Sequence, residues 1–151
     1  MAKEQLSPET TLKLRRTFQA PRERVFRAWT DPKELALWFA PTADYTTRVP
    51  ELDLKVGGKY RVEMHHKGGN INRLGGTYRE IRPPEKIVFT WRWEHDAAQT
   101  ESLVTLEFFD LGPSTEVLLT HVQLPSVEDR NKHEQGWTGC LARLGEYVQA
   151  N

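Results

Sequence analysis

Only one cysteine, Cys140, occurs in the 151 residues, so no internal disulfide can form, and the expected setting is the reducing cytoplasm. Neither sign of charge is in excess. The 21 Lys plus Arg balance the 21 Asp plus Glu, which removes the basic surplus that nucleic acid or an anionic membrane surface would attract. No apolar run approaches the roughly 20 residues of a membrane-spanning helix. The opening segment, MAKEQLSPET, has no apolar core of the kind a secretory leader needs. There is no serine in a nucleophile elbow and no glycine-rich loop ahead of a helix, so acyl transfer and phosphate binding lose their usual signatures. No metal site is expected either: His65 and His66 are adjacent on a strand and point to opposite faces, and His95 lies near a turn, where exposure is expected. Repeats, low-complexity tracts and linkers are absent too. The reading is one domain over residues 1–151, long enough to bury roughly two-thirds of its unfolded surface, with no cofactor.

What the chain does have is turn chemistry with aromatic faces. Residues 11–18 alternate, with Leu12, Leu14 and Phe18 on one side and Lys13 and Arg15 on the other, as a half-buried strand does. Pro21 suits a first helical turn, and Val25, Phe26 and Trp29 follow at helical spacing. Asp31, Pro32 and Glu34 then form the pattern of a capping box, starting a second helix that buries Leu35, Trp38 and Phe39 before Pro41 ends it.

From residue 44 to 125 helical spacing gives way to short alternating runs between turns, an antiparallel meander. Residues 45–54, interrupted by Pro50, read as an irregular edge. Residues 59–66 place Tyr60, Val62 and Met64 on one face, and residues 67–70 form a hairpin turn. Residues 74–82 carry Tyr78. Residues 86–94 set Ile87, Phe89, Trp91 and Trp93 against Val88, Thr90, Arg92 and Glu94. Val104, Leu106 and Phe108 share a face in residues 101–110, as do Val117, Leu119 and His121 in residues 115–124. Ser126 caps a final helix of about 23 residues, its N-terminal dipole met by Glu128 and Asp129. Its stripe from His133 through Trp137, Cys140, Leu141 and Leu144 to Val148 has one continuous apolar side. Gly136 reads as a point of close packing between this helix and the rest of the monomer.

Strand, two short helices, antiparallel strands and a long amphipathic helix bury one face each if a bent sheet wraps the helix. The segments FQAPRERVFRAWTDPKELALWFAP, VGGKYRVEM, GGTYREIRPPEKIVFTW, the Thr120-His121 pair and HEQGWTGCLARLGEYV resemble the activator of heat-shock-protein-90 ATPase homologue group, within the START-like, birch-pollen-allergen-like (SRPBCC) superfamily. The likeness runs over residues 11–148. It implies an α+β helix-grip fold whose sheet and C-terminal helix enclose a cavity, often used for hydrophobic small molecules. The part matched is the one similar to the C-terminal domain of the eukaryotic activators, so their chaperone role transfers poorly.

The candidate ligand-binding residues are the inward positions. They are Trp38 and Phe39 from the second helix; Tyr60, Val62, Met64, Tyr78, Phe89, Trp91, Val104, Leu106, Val117 and Leu119 from the strands; and Trp137, Leu141 and Leu144 from the last helix. For any one of them plain core packing is the first reading. His121, ending an inward strand face, and His133, opening the helix stripe, are expected as neighbours at one mouth of the cavity, where an imidazole can hydrogen-bond a ligand or move a proton, although the first reading of each is a histidine hydrogen-bonded to backbone or partly solvated. Cys140 on the buried stripe is expected to be inert packing. Glu80 shares strand parity with Tyr78, which would bring it to the cavity as a base, but its first reading is an ion pair at the sheet surface or edge. Three functions stand: binding of a hydrophobic or aromatic molecule without dedicated catalytic residues; a cyclase- or aromatase-like enzyme using His121, His133 or Glu80 as acid and base; and stimulation of a chaperone ATPase by protein contact. Monomer and homodimer remain open.

Overall fold

The computed structural model describes residues 8–150; the reading of the N-terminus as free of a leader falls largely on residues 1–7, outside the described residues. A 3-10 turn at Pro8–Thr10 leads into β1 (Leu12–Phe18), followed by α1 (Arg22–Thr30) and α2 (Pro32–Trp38). Six further strands, β2 (Tyr45–Leu52), β3 (Lys59–His66), β4 (Ile71–Arg82), β5 (Lys86–Trp93), β6 (Ser102–Asp110) and β7 (Thr115–Val122), precede α3 (Val127–Ala150). All pairings are antiparallel in one sheet ordered β1-β7-β6-β5-β4-β3-β2, so β1 closes one edge beside the last strand. This is the α+β helix-grip arrangement. Among the described residues no helix is long and apolar enough to cross a membrane.

Local chemistry places the elements. Asp31 caps α2 by accepting from the Lys33 N–H at 2.9 Å with Pro32 in the first turn, but the box expected with Glu34 does not close. The Asp31 N–H bonds instead to the Arg27 carbonyl, and Glu34 turns to Arg24, Arg27 and the Tyr147 hydroxyl, binding all three helices together. Ser126 accepts from the Asp129 N–H at 3.0 Å, an N-cap for α3. β2 is the irregular edge that Pro50 foretells, with a register break between Arg48 and Glu51. β4 starts at Ile71 rather than 74, because the hairpin pairs His65 with Ile71 directly. β5 is buried on both faces from Ile87 to Trp91, Thr90 included.

The backbone of α3 makes its main approaches to β1, α1, α2 and the 3-10 turn. Gly139 is the contact point with the segment after α2: a Cβ there would lie 2.0 Å from the Pro41 carbonyl oxygen. Gly136, expected to be the close contact, faces open space, with nothing within 4 Å of such a Cβ. The N-terminal half of α3 therefore stands off from β5, and side chains alone bridge the gap.

Candidate functional site

A cleft of about 800 Å³ occupies that gap. Phe39 after α2, Met64 of β3, Trp91 and Trp93 of β5 and Trp137 and Cys140 of α3 form its apolar wall, and residues 95–98 and 100, with Leu124 and Pro125, its rim. Gly136 forms part of the α3 side, which is why the cleft is open there. The space is a cleft reaching the surface past exposed His95, Ala97 and Lys132, rather than the enclosed cavity the family resemblance implies. Its rim loop is held by Asp96, whose carboxylate accepts from Ala98 N–H and Thr100 N–H, each at 3.0 Å, and these backbone donors hold the carboxyl below its usual range.

The aromatic wall is one continuous cluster. Trp91 lies 5.0 Å from Trp137, 5.5 Å from Trp93 and 6.4 Å from Phe39, centroid to centroid, and Trp137 is 5.9 Å from Phe39. Such tilted and edge-on pairs suit the ring quadrupoles. The two histidines meet as the strand and helix spacing anticipates, their ring centroids 5.2 Å apart, but not at a mouth: His133 borders the cleft, whereas His121 is wholly buried behind it.

Their hydrogen bonds define their chemistry. An indole N–H only donates, so the Trp137 bond of 3.1 Å makes His121 Nδ1 an acceptor, and the Trp93 bond of 3.2 Å does the same for His133 Nε2. His121 Nε2–H then donates to Ser102 Oγ at 2.7 Å, and the Ser102 hydroxyl donates to the Trp91 carbonyl at 3.4 Å. His133 Nδ1–H donates to the Asp129 carbonyl at 2.7 Å. Every ring nitrogen of the two histidines is thus engaged. Burial, seconded by His133, holds His121 well below the usual imidazole value. These groups orient the wall rather than present a free base.

Glu80 forms the ion pair at the sheet surface that is its first reading, and its parity with Tyr78, on which a role as cavity base depends, does not hold. A bulge between Tyr78 and Glu80 sets Glu80 opposite Val88, so it leaves the parity of Tyr78 for the outer face. There it pairs with Arg82 at 2.9 Å and Lys86 at 3.4 Å. His121, wholly buried with both nitrogens spent, and Glu80, on the other face, do not converge on one ligand atom.

Of the remaining candidates, Phe39, Met64, Trp91, His133 and Trp137 border the cleft. Tyr60, Val62, Tyr78 and Phe89 surround a second, inner void of about 30 Å³, which shares Phe39 and Trp91 with the cleft. Trp38, Val104, Leu106, Val117, Leu119, Leu141 and Leu144 are buried in the packed core and border neither space. Trp38 is fixed there by its bond to the Ala28 carbonyl at 2.9 Å. Cys140 is buried on the cleft wall, and burial pushes its thiol up to about 12, which suits packing rather than reaction. Sequence reasoning left out Trp93, Ser102, Lys132 and the rim loop. Trp93 shares the parity of Trp91 and was legible; the loop was not, because its position depends on how far the sheet curls.

Comparison with known proteins follows the same outline. Residues 19–149 match the family described as Activator of Hsp90 ATPase homolog 1-like protein. A crystal structure of protein CV1439 from Chromobacterium violaceum has a TM-score of 0.85 and 31% identity, covering 92% of this chain and 96% of that one. The crystal structure of a protein named AHSA1 from Silicibacter pomeroyi has a TM-score of 0.80 and 28% identity, over 93% of this chain and 98% of that one. The human Activator of 90 kDa heat shock protein ATPase homolog 1 is 28% identical over 131 residues, 86% of this chain but 34% of its own, so the chain spans about a third of that relative.

Proposed function

The chain belongs to the Activator of Hsp90 ATPase homolog 1-like family, and from that premise we propose that it binds an apolar, aromatic small molecule in the cleft between α3 and β5. One observation carries this reading: an opening of about 800 Å³ has an aromatic wall of Phe39, Trp91, Trp93 and Trp137, with polar residues such as Asn72, Asp96, Lys132 and His133 completing its lining. Small-molecule sites have this character, concave and mostly apolar, within about 300–1,000 Å³. The aromatic faces supply affinity by burying apolar area at about 25 cal/mol per Å², and offset stacking adds orientation. The histidine–indole bonds support the reading by fixing the Trp93 and Trp137 rings before a guest arrives, which reduces the ordering cost of binding. A carrier, sensor or sequestering role needs no more than this.

The test is native mass spectrometry of the protein as isolated, followed by fluorescence titration with 1-anilinonaphthalene-8-sulfonate and a panel of two- and three-ring aromatics. A retained guest, or saturable quenching of the tryptophans by a panel member, is expected. Repeated absence of both would end the proposal. The human relative favours a second reading, stimulation of a chaperone ATPase by protein contact. An ATPase assay with the host's 90-kDa heat-shock protein separates the two, since unchanged turnover removes the second and leaves the first standing.

A further inference from the structure

The chain has five tryptophans, and their indole N–H groups fall into two sets. Trp38 donates to the Ala28 carbonyl, Trp93 to His133 and Trp137 to His121. Trp29 and Trp91 have no acceptor on the protein, although both N–H groups are closed off from solvent. These same two are the tryptophans that border the inner void, Trp29 from α1 on one side and Trp91 from β5 on the other. Buried donors are nearly always paired, so two unpaired donors on one small space point to what the space accommodates.

Size and polarity narrow the occupant. A water needs about 10–15 Å³ and two to four polar partners, and about 30 Å³ is open here. Besides the two indoles, the polar side chains on this wall are Tyr60 and Tyr78. The Tyr60 hydroxyl donates its proton to the Thr90 carbonyl at 2.6 Å and keeps its lone pairs. The rest of the wall is hydrocarbon, which disfavours an ion. Two unpaired donors on residues that border one otherwise apolar void favour a small, uncharged acceptor.

We propose that the inner void is a binding site for one neutral oxygen acceptor, held between the indole N–H groups of Trp29 and Trp91. The oxygen comes from water or from a carbonyl or hydroxyl group on a molecule in the cleft. The second source is suggested by the two spaces being neighbours, with Phe39 and Trp91 in the walls of both. The site itself stands whether or not the cleft takes a guest.

Proton NMR of 15N-labelled protein tests it, with the indole signals assigned through Trp29→Phe and Trp91→Phe. Cross peaks from the indole protons of Trp29 and Trp91 to a long-lived water, with none at Trp38, are the expected result. An oxygen peak between the two indole nitrogens in a high-resolution crystal structure gives the same answer without any variant. Fluorene and 9-fluorenone, which share a three-ring frame and differ by a carbonyl, then distinguish the sources. Loss of the water cross peaks with a downfield shift of both indole protons, on adding fluorenone alone, assigns the oxygen to the ligand; persistence of the water peaks with both probes assigns it to water. No water contact, no density and no carbonyl-dependent shift at either indole would overturn the proposal. If neither probe binds while the water peaks persist, the cleft reading falls and this one remains.

Discussion

Trp137 is the residue on which the site turns, because its ring meets Trp29, Phe39 and Trp91 while its N–H holds His121. At 2% exposure, Trp137→Ala removes a large buried ring and strands an imidazole nitrogen. A loss of about 3–5 kcal/mol in denaturant-derived stability is expected, and a near-neutral value would mean that the ring does not pack as described. His121 makes a second prediction. Its folded-state value lies below the ordinary 6.5, so between the two the unfolded chain binds more protons and stability rises with pH. The contribution is complete above about pH 6.5 and is lost as pH falls from there toward the folded value, by up to about 1.4 kcal/mol per pH unit. Urea midpoints between pH 7.5 and 5 should show this slope, and His121→Leu should flatten it even while lowering the midpoint overall. The meeting of His121 and His133 was legible, since one strand parity and one helix stripe lead to the same place. Their indole partners were not, because Trp93 and Trp137 are 44 positions apart and only the fold sets their depth.

At the scale of elements, α3 is fixed closely at one point and free at another, and two glycines one turn apart report the difference. Gly139→Ala forces a methyl to within 2.0 Å of the Pro41 carbonyl and should destabilise, by about 1–3 kcal/mol as for other overpacked sites. Gly136→Ala meets nothing and should stabilise by about 0.5–1 kcal/mol through helix propensity. Thermal melts of the pair check both signs; equal and opposite assignments would reverse the placement of the cleft. The three helices are also joined electrostatically. Burial works against the Glu34 carboxylate, but its bonds from Arg27, Tyr147 and Arg24 prevail and hold it below its usual value, so this bracing is intact above about pH 4.5 and is lost in more acidic solution. Helix starts and strand periods were legible because caps, prolines and alternation act locally. The Glu80 bulge was not: a single inserted residue reverses every side chain beyond it, and nothing local in the run Tyr78-Arg79-Glu80 announces it.

Across the whole molecule, the wrapped sheet and long helix could be read from element order, while the shape of the space between them could not. The inward aromatics of β3, β4 and β5 divide between an outer cleft and an inner void according to where Phe39 and Trp91 stand. The inward aliphatics of β6 and β7 border neither, because they are packed to completion. That division depends on the standoff of α3, a tertiary distance with no signature in the chain. The most direct test of the account is a fluorescence titration of wild type and Gly136→Phe, both shown to melt cooperatively, with the tightest-binding member of the aromatic panel. The added ring has open space to enter only on the cleft side, so the account predicts that Gly136→Phe weakens binding by at least about tenfold with no loss of stability, whereas unchanged affinity in the folded variant would contradict a guest site between α3 and β5.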